Sequence, residues 1–158
     1  MADRARLPAL DPASVKGYKG SSYPPPFAPP CAEREKRALG DPLGLTQFGV
    51  NLTTLPPGSW SAQRHWHKHE DEFVYVLEGE VVLITDNGEQ VLGAGMAAGF
   101  PAGREDGHHL VNRSDKPATY LEVGTRAALE YCVYPDVDME LDLRDRKFVF
   151  RHRDGTPY

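Results

Sequence analysis

Residues 58–79 read GSWSAQRHWHKHEDEFVYVLEG and contain the most informative pattern in the chain. Three histidines, His65, His67 and His69, occupy alternate positions, and an acidic run that ends at Glu72 follows them directly. The chain of 158 residues has only six histidines, so this cluster is a marked concentration. Side chains of a β-strand alternate between its two faces, so a strand through His65 and His67 puts both imidazoles on one face. The pattern predicts two ring nitrogens that converge on one point.

A metal site follows from the residue types around this pair. Glu72 begins the apolar stretch EFVYVLEG, and a bend before it can bring its carboxylate beside the pair on an adjoining strand. A third histidine is supplied by residues 101–114, PAGREDGHHLVNRS, as either His108 or His109. Three imidazoles and one carboxylate suit Zn, Fe, Mn or Ni and leave coordination positions open for water or substrate. The sequence therefore predicts one divalent transition metal ion as cofactor.

The remainder of the chain predicts an all-β fold. Apolar stretches rich in Val, Leu, Tyr and Phe alternate with turn-forming clusters such as PPG, DNGE, PAG and NRSDKP. No segment between Thr46 and Tyr134 shows a helical period, so a β-sandwich or barrel is expected. The predicted strands are 46–55, 60–67, 72–78, 80–85, 89–92, 96–100, 108–113, 117–124, 129–134 and 147–152.

The first segment of the chain, residues 1–44, is predicted to be an extended arm. Prolines at 24 to 26 and at 29 and 30 exclude both a regular helix and a central strand. Tyr18, Tyr23 and Phe27 carry apolar area, so we expect the arm to pack on the barrel or on a partner subunit. Within it, the segment EREKRALGDPLG predicts a turn or two of helix.

Three regions result from this division: the arm 1–44, the barrel 45–135, and a C-terminal tail 136–158 with a final strand. A small barrel has exposed edge strands that need cover, and the arm and the tail can cross onto a second copy to provide it. We therefore expect a homodimer.

Composition excludes several classes of function. The net charge is −5 and the 18 Lys and Arg residues are scattered, so we expect no nucleic-acid partner. The apolar runs are far shorter than the ~20 residues of a membrane-spanning helix, and the start MADRARLPAL lacks a hydrophobic signal core. These features predict a cytoplasmic protein with no membrane partner. Cys31 and Cys132 are expected to be free thiols.

The sequence resembles the cupin family, whose fold is a double-stranded β-helix, or jelly-roll, barrel. The first cupin motif is a glycine, about five residues, His-x-His, three or four residues, Glu, six residues and Gly. Here it matches Gly58, His65, His67, Glu72 and Gly79, with one extra residue between Gly58 and His65.

The second cupin motif is a glycine, five residues, Pro-x-Gly, a short gap, His, three residues and Asn. It matches Gly95, Pro101, Gly103, His108 and Asn112 in the stretch GMAAGFPAGREDGHHLVN. The gap of four residues between Gly103 and His108 is longer than the usual two.

The resemblance extends to small single-domain bacterial cupins described only as conserved barrel proteins. It rests on the stretches HWHKHEDEFVYVLEGE, GHHLVNRSD, YLEVGTR and RDGTPY. It implies a jelly-roll cupin barrel with a proline-rich N-terminal arm. It also implies metal ligands at His65, His67, Glu72 and His108, facing into the barrel.

Two neighbouring histidines compete with these ligands. His69 shares the two-residue period and can replace His65, but then only two residues would precede Glu72, so His69 is expected at the rim of the site. His109 points away from His108 in a regular strand, and the three-residue gap to the asparagine of the motif favours His108. A metal-free interior is the other interpretation, at a cost of about 1–3 kcal/mol for each unsatisfied buried polar group.

Two functions are compatible with such a site. The first is a metal-dependent enzyme acting on a small sugar or organic acid, of the isomerase, lyase or dioxygenase type. The second is a non-catalytic binding or sensor module that uses the metal to hold a small effector. Arg64, Arg104 or Arg113 can pair with an anionic group of the ligand or simply face solvent. Candidates for lining the cavity are Phe73, Tyr75, Val82, Ile84, Phe100, Leu110 and Tyr120.

Overall fold

The structure, a computed structural model, describes residues 8–144 and 147–158. Over these residues the chain forms thirteen strands and three short 3-10 helices, Pro12–Ser14, Pro25–Phe27 and Pro29–Cys31. The fold class is all-β, as predicted. The strands are β1 (Tyr18–Lys19), β2 (Glu35–Ala38), β3 (Phe48–Leu55), β4 (Trp66–His67), β5 (Glu72–Glu78), β6 (Glu80–Thr85), β7 (Gly88–Gly93), β8 (Ala97–Phe100), β9 (His109–Val111), β10 (Ala118–Thr125), β11 (Leu129–Tyr134), β12 (Met139–Arg144) and β13 (Lys147–Arg151).

The strands form three sheets. The largest has the order β1-β2-β3-β10-β5-β8, the second β13-β12-β11-β4 and the third β7-β6-β9. Strands distant in sequence become neighbours, because β10 pairs antiparallel with both β3 and β5. This arrangement is the predicted jelly-roll barrel.

The main hydrophobic core joins the six-stranded sheet to the three-stranded sheet. Inward-facing positions of β5 alternate with exposed ones: Val74 and Val76 are buried, whereas Tyr75 between them is exposed. This is the expected pattern of a sheet with one face on a core and one face outward. The buried members of the cluster are Leu55, Val74, Val76, Val81, Leu83, Leu92, Leu110, Ala118 and Tyr120.

The N-terminal segment contributes a strand where a turn of helix was predicted. Glu35–Ala38 is β2, which pairs with β3 in the register Lys36 opposite Thr53. The helical expectation for EREKRALG is wrong because the edge of β3 offers backbone partners, and tertiary pairing overrides a weak local preference. Tyr23 and Phe27, two apolar residues of the arm, pack against a cluster on the four-stranded sheet.

Two further strand predictions need correction. Of residues 60–67, only Trp66–His67 is a strand, since the preceding residues contribute only isolated bridges such as that between Trp60 and Val111. Met139–Arg144 is a strand that was not predicted, although its sequence MELDLR alternates between apolar and charged side chains. Cys31 and Cys132 are buried free thiols. Within the described ranges, no helix has the length and apolar character needed to cross a membrane.

Candidate metal centre

Backbone pairing brings the two histidine motifs together. His65 lies just before β4 and His108 just before β9, and the two form an isolated antiparallel bridge. The His65 amide donates to the His108 carbonyl at 3.1 Å, and the His108 amide donates to the His65 carbonyl at 2.8 Å. Glu72 begins β5, directly after the loop that follows His67 in β4. His108 is thus brought to the same place in the barrel as Glu72, which lies 36 residues before it in the sequence.

The four predicted ligand side chains converge. The Nε2 atoms of His108, His67 and His65 lie 2.8, 3.3 and 3.5 Å from Glu72 Oε2. Ligand atoms about 2.1 Å from a shared cation are roughly 3 Å from one another in tetrahedral or octahedral geometry. The three distances to Glu72 Oε2 are therefore close to those between neighbouring ligands of one transition metal ion, and candidate ligand atoms of His65, Glu72 and His108 all lie within 4.8 Å of one another.

Hydrogen bonding leaves ring nitrogens of His65 and His67 free to act as ligands, whereas Nε2 of His108 is hydrogen-bonded to Glu72 Oε2 at 2.8 Å. His65 Nδ1 lies 2.8 Å from the Gln63 carbonyl, which can only accept, so we assign the proton to Nδ1 and a lone pair to Nε2. Both ring nitrogens of His67 are buried without a hydrogen bond of good geometry. Buried, unpartnered imidazole nitrogens beside a carboxylate are the donor set expected of a metal site, so the residues fit a divalent cation.

The electrostatics favour the metal-binding forms of Glu72 and His65, whereas His67 is drawn towards its protonated form by the surrounding carboxylates. Burial raises the pKa of Glu72, but the adjacent imidazoles of His108, His65 and His67 outweigh it and hold the pKa well below its usual value. Burial lowers the pKa of His65, which favours the neutral ring. For His67, burial is outweighed by the attraction of Glu72, Glu130 and Glu70, and its pKa is raised. An ionised carboxylate beside a neutral imidazole is the form that binds a metal ion.

Glu130, on β11, is a carboxylate that the sequence analysis did not single out. It is only 3% exposed and accepts backbone N–H bonds from Lys68, His69 and Tyr131 at 2.8, 3.0 and 2.8 Å. Its Oε1 lies 3.8 Å from His67 Nδ1. The alternation of side chains along β11 is the sequence feature that could have identified Glu130, because Glu130 shares a face with the buried Cys132 and Tyr134.

The non-ligand positions of the two motifs have structural roles. Gly79 has φ +73°, and a Cβ there would lie 2.6 Å from the Pro117 carbonyl, so the turn after β5 requires glycine. The Gly103 amide donates to the His67 carbonyl at 2.8 Å and ties the second motif to the first. Asn112 is fully buried and donates from Nδ2 to the carbonyls of Leu55 and Lys116, both at 2.7 Å.

The competing histidines lie outside the cluster. The His69 side chain is exposed, as expected for a residue at the rim. His109 is buried, with Nδ1 3.0 Å from the Ala62 carbonyl and its ring edge-on to Trp60. Cys132 has its sulfur within 4.8 Å of ring nitrogens of His65 and His67, but burial raises its pKa well above the usual value and so preserves the thiol.

A cavity of about 180 Å³ adjoins the four converging side chains. Three of the predicted lining residues, Phe100, Leu110 and Tyr120, border it. Phe73 and Tyr75 do not, because they point to the outer face of β5 and are 44% and 38% exposed. The ring of Phe100 stacks on His108 at 3.6 Å between centroids, and both residues also line a second cavity of about 150 Å³.

The predicted arginine candidates do not line the 180 Å³ cavity. Arg64 forms two 2.7 Å hydrogen bonds with Asp136, and Arg113 pairs with Glu89 at 2.6 and 2.8 Å. Arg104 borders the second cavity and is largely exposed. The basic side chains that do line the first cavity are Arg34, directly before β2, and Lys36, in β2. They were missed because the strand that carries them was not predicted.

Comparison with known proteins identifies the family of the chain. A family model of the cupin domain matches residues 51–124. The crystal structure of a sugar phosphate isomerase from a cupin superfamily, from Silicibacter pomeroyi DSS-3, is 46% identical, with a TM-score of 0.92 and 96% of each chain covered. The chain belongs to the cupin superfamily. No curated protein matches this cupin significantly.

More distant cupin structures share its fold. A protein from Acidithiobacillus ferrooxidans, described provisionally as a sugar phosphate isomerase, is 28% identical, with a TM-score of 0.74 and 80% of each chain covered. The polyketide cyclase RemF from Streptomyces resistomycificus is 23% identical, with a TM-score of 0.59 and 76% of this chain and 80% of that chain covered. The second likeness concerns the fold alone.

Proposed function

We propose that this cupin is a metal-dependent isomerase acting on a small sugar phosphate. The observation that carries the proposal is the convergence of three imidazole Nε2 atoms on one oxygen of Glu72 beside a cavity of about 180 Å³. The names of two similar structures, sugar phosphate isomerases at 46% and 28% identity, favour isomerase over lyase or dioxygenase chemistry.

His65, His67, Glu72 and His108 would hold the cation. A divalent ion bound there supplies a Lewis acid that binds and polarises oxygen atoms of the substrate. Lining the same cavity, Phe100 and Leu110 contribute apolar surface that limits the access of water.

Aldose–ketose isomerisation moves a proton between adjacent carbons, so the cavity needs a group that accepts and returns it. Glu122, on β10, is a second carboxylate in the cavity, and it is not among the four converging side chains. It accepts hydrogen bonds from Lys36 Nζ at 2.6 Å and from Asn51 Nδ2 at 3.3 Å, which fix its orientation. Glu122 is therefore the proposed proton-transfer residue.

A homodimer is part of the proposal. The outer face of the six-stranded sheet carries exposed Phe73, Tyr75 and Leu77 on β5. Their neighbours on β10, Val123 opposite Phe73 and Leu121 opposite Tyr75, are also apolar. A second copy presents the same apolar face and can cover this one by two-fold packing.

Metal content and turnover test the proposal together. The purified protein is expected to hold close to one equivalent of transition metal by mass spectrometry and, when loaded, to incorporate solvent deuterium at the carbon next to the carbonyl of a sugar phosphate. His67→Ala should lose the metal and keep the β-sheet circular dichroism, whereas the matched control His69→Ala should retain both. Equal metal content in the two variants would contradict the ligand assignment. Metal binding without deuterium incorporation in any sugar phosphate would favour the binding-module alternative.

A further inference from the structure

The cavity beside the imidazoles is also lined by hydrogen-bond donors from the six-stranded sheet and the segment before it. Arg34 directly precedes β2, Lys36 lies in β2, and Tyr120 lies in β10. Lys36 pairs with Thr53 across the β2–β3 ladder, and Thr53 pairs with Tyr120 across the β3–β10 ladder. Residues paired directly across a sheet share a face, so Lys36 and Tyr120 project to the same side.

Arg34 is a cation without a carboxylate partner among the residues that the structure describes. Its Nη1 donates to the Ser61 carbonyl, and its Nη2 donates to the Gly20 carbonyl at 2.7 Å. Its Nε is buried and has no hydrogen-bond partner. Neutral carbonyls orient the guanidinium but leave its charge uncompensated, and a shielded N–H without an acceptor is costly.

Lys36 adds a second positive charge with unused donors. Its Nζ donates to Glu122 at 2.6 Å, with the two side chains 30% and 20% exposed. An ammonium group has three N–H donors, so Lys36 can hold Glu122 and a ligand oxygen at the same time.

The Tyr120 hydroxyl is a third donor. Tyr120 is only 1% exposed, and its hydroxyl has no hydrogen-bond partner of good geometry within the described part of the chain. Buried hydroxyls are normally satisfied, so an unpartnered one at a cavity wall marks a place for a ligand acceptor or water.

We propose that Arg34, Lys36 and Tyr120 form an oxyanion subsite that binds the phosphate or carboxylate group of the substrate. Two cations and a neutral donor favour a ligand group that is negatively charged and rich in acceptors. The assignment rests on the proposed function for the cavity being the substrate site. It adds that charge recognition comes from the N-terminal segment, outside both histidine motifs.

Three probes separate the contribution of the charge from that of the sugar. Ribose, ribose 5-phosphate and ribonate share a carbon skeleton and differ in having no anion, a phosphate and a carboxylate. In calorimetric titrations of the metal-loaded protein, at least one of the two anions should bind about tenfold more tightly than ribose. Inorganic phosphate should compete with it. The anion that binds more tightly identifies the class of substrate.

A set of lysine variants localises the subsite. Lys36→Met should remove most of the preference for the anion, about tenfold in affinity, whereas Lys36→Arg should retain it. The matched control is Lys19→Met, because Lys19 lies on the neighbouring strand β1 but is exposed and pairs with Glu33.

Each outcome decides between the two proposals. Equal affinity for ribose and both anions, no anion binding at millimolar concentration, or an unchanged preference in Lys36→Met would overturn the subsite. Lys36-dependent anion binding without any turnover would sustain the subsite and overturn the isomerase. Turnover whose KM is unchanged in Lys36→Met would sustain the isomerase and overturn the subsite.

Discussion

At the scale of single residues, Glu130 is a buried carboxylate placed to act on the proposed metal centre through His67. Three backbone N–H groups fix it, and its Oε1 lies 3.8 Å from His67 Nδ1. A small rotation of the imidazole would let Nδ1–H donate to this oxygen, leaving Nε2 as the ligand atom. Carboxylates in this position set the tautomer and orientation of metal-binding histidines.

We therefore expect Glu130→Gln to weaken metal affinity by about 10–100-fold. Competition with a chelating dye measures the affinity, and the visible spectrum of the Co²⁺-loaded protein reports the ligand geometry separately. The matched control is Glu70→Gln, because Glu70 lies near the same imidazole but accepts its hydrogen bond from the Ala127 amide. An unchanged Co²⁺ spectrum and affinity in Glu130→Gln would show that the carboxylate serves folding alone.

The sequence could predict those site residues that lie in short motifs with a characteristic spacing. His65, His67, Glu72 and His108 lie within two short motifs, and the structure brings their side chains together. Glu130, Arg34 and Lys36 belong to segments that meet the site only through sheet pairing. Their positions depend on the register of β11 with β4 and of β2 with β3, which a single sequence does not specify.

At the scale of elements, Arg64 links three connecting segments at one end of the barrel. It lies before β4 and pairs with Asp136 in the turn between β11 and β12 and with Asp86 in the turn between β6 and β7. It also donates to the Gly107 carbonyl at 3.2 Å, close to the bridge that positions His108. This network ties the loops of two different sheets together.

The network should make stability depend on pH. Hydrogen bonds from Arg64 lower the pKa of Asp136, so the stabilisation is present above its unfolded pKa of about 3.9 and is lost as the pH falls through the folded value. Because both carboxylates are more than a third exposed, we expect Arg64→Gln to lower the free energy of unfolding by only about 1 kcal/mol at pH 7. Urea titrations at pH 7 and pH 3 should show the difference from the original protein shrinking at the lower pH.

Arg113→Gln is the control, since Arg113 forms a comparable ion pair with Glu89 on an exposed hairpin and links no separate loops. Its effect at pH 7 should be smaller than that of Arg64→Gln. A deficit for Arg64→Gln that persists unchanged at pH 3 would mean that packing, and not the ion pairs, is responsible.

The strands also show which elements a sequence reveals. The alternation EFVYVLE predicts β5 with its full bounds, because one face is on the core and the other is outward. β2 was mistaken for a helical turn because EKRA has no apolar alternation and becomes a strand only by pairing at a sheet edge. The local sequence pattern identifies strands that bury one face. It does not identify strands that form only because a neighbouring strand pairs with them.

At the scale of the whole molecule, the outer face of the six-stranded sheet carries exposed apolar side chains to which we assign the proposed dimer interface. Phe73, Tyr75 and Leu77 are 44%, 38% and 45% exposed along a single strand. The apolar surface continues across β10 onto β3, where Leu52 pairs with Leu121.

We expect sedimentation equilibrium to give twice the chain mass and Tyr75→Glu to give the monomer, because a charge at the centre of an apolar interface is costly to bury. Val91→Glu is the control, since Val91 is 55% exposed on β7 of a different sheet. A monomeric mass for the original protein would refute the dimer. A dimeric Tyr75→Glu would place the interface elsewhere.

Strand β2 and the residue before it lie near one end of the six-stranded sheet, between β1 and β3, yet Lys36 and Arg34 line the cavity in the interior. The residues proposed to recognise ligand charge and those proposed to hold the cation thus lie on separate stretches of the chain. A chimaera that takes residues 16–38 from a relative would inherit the donor's preference among substrates while keeping the recipient's chemistry. Changes near this end of the sheet can therefore alter ligand preference in such a barrel while the residues of the proposed metal site stay the same.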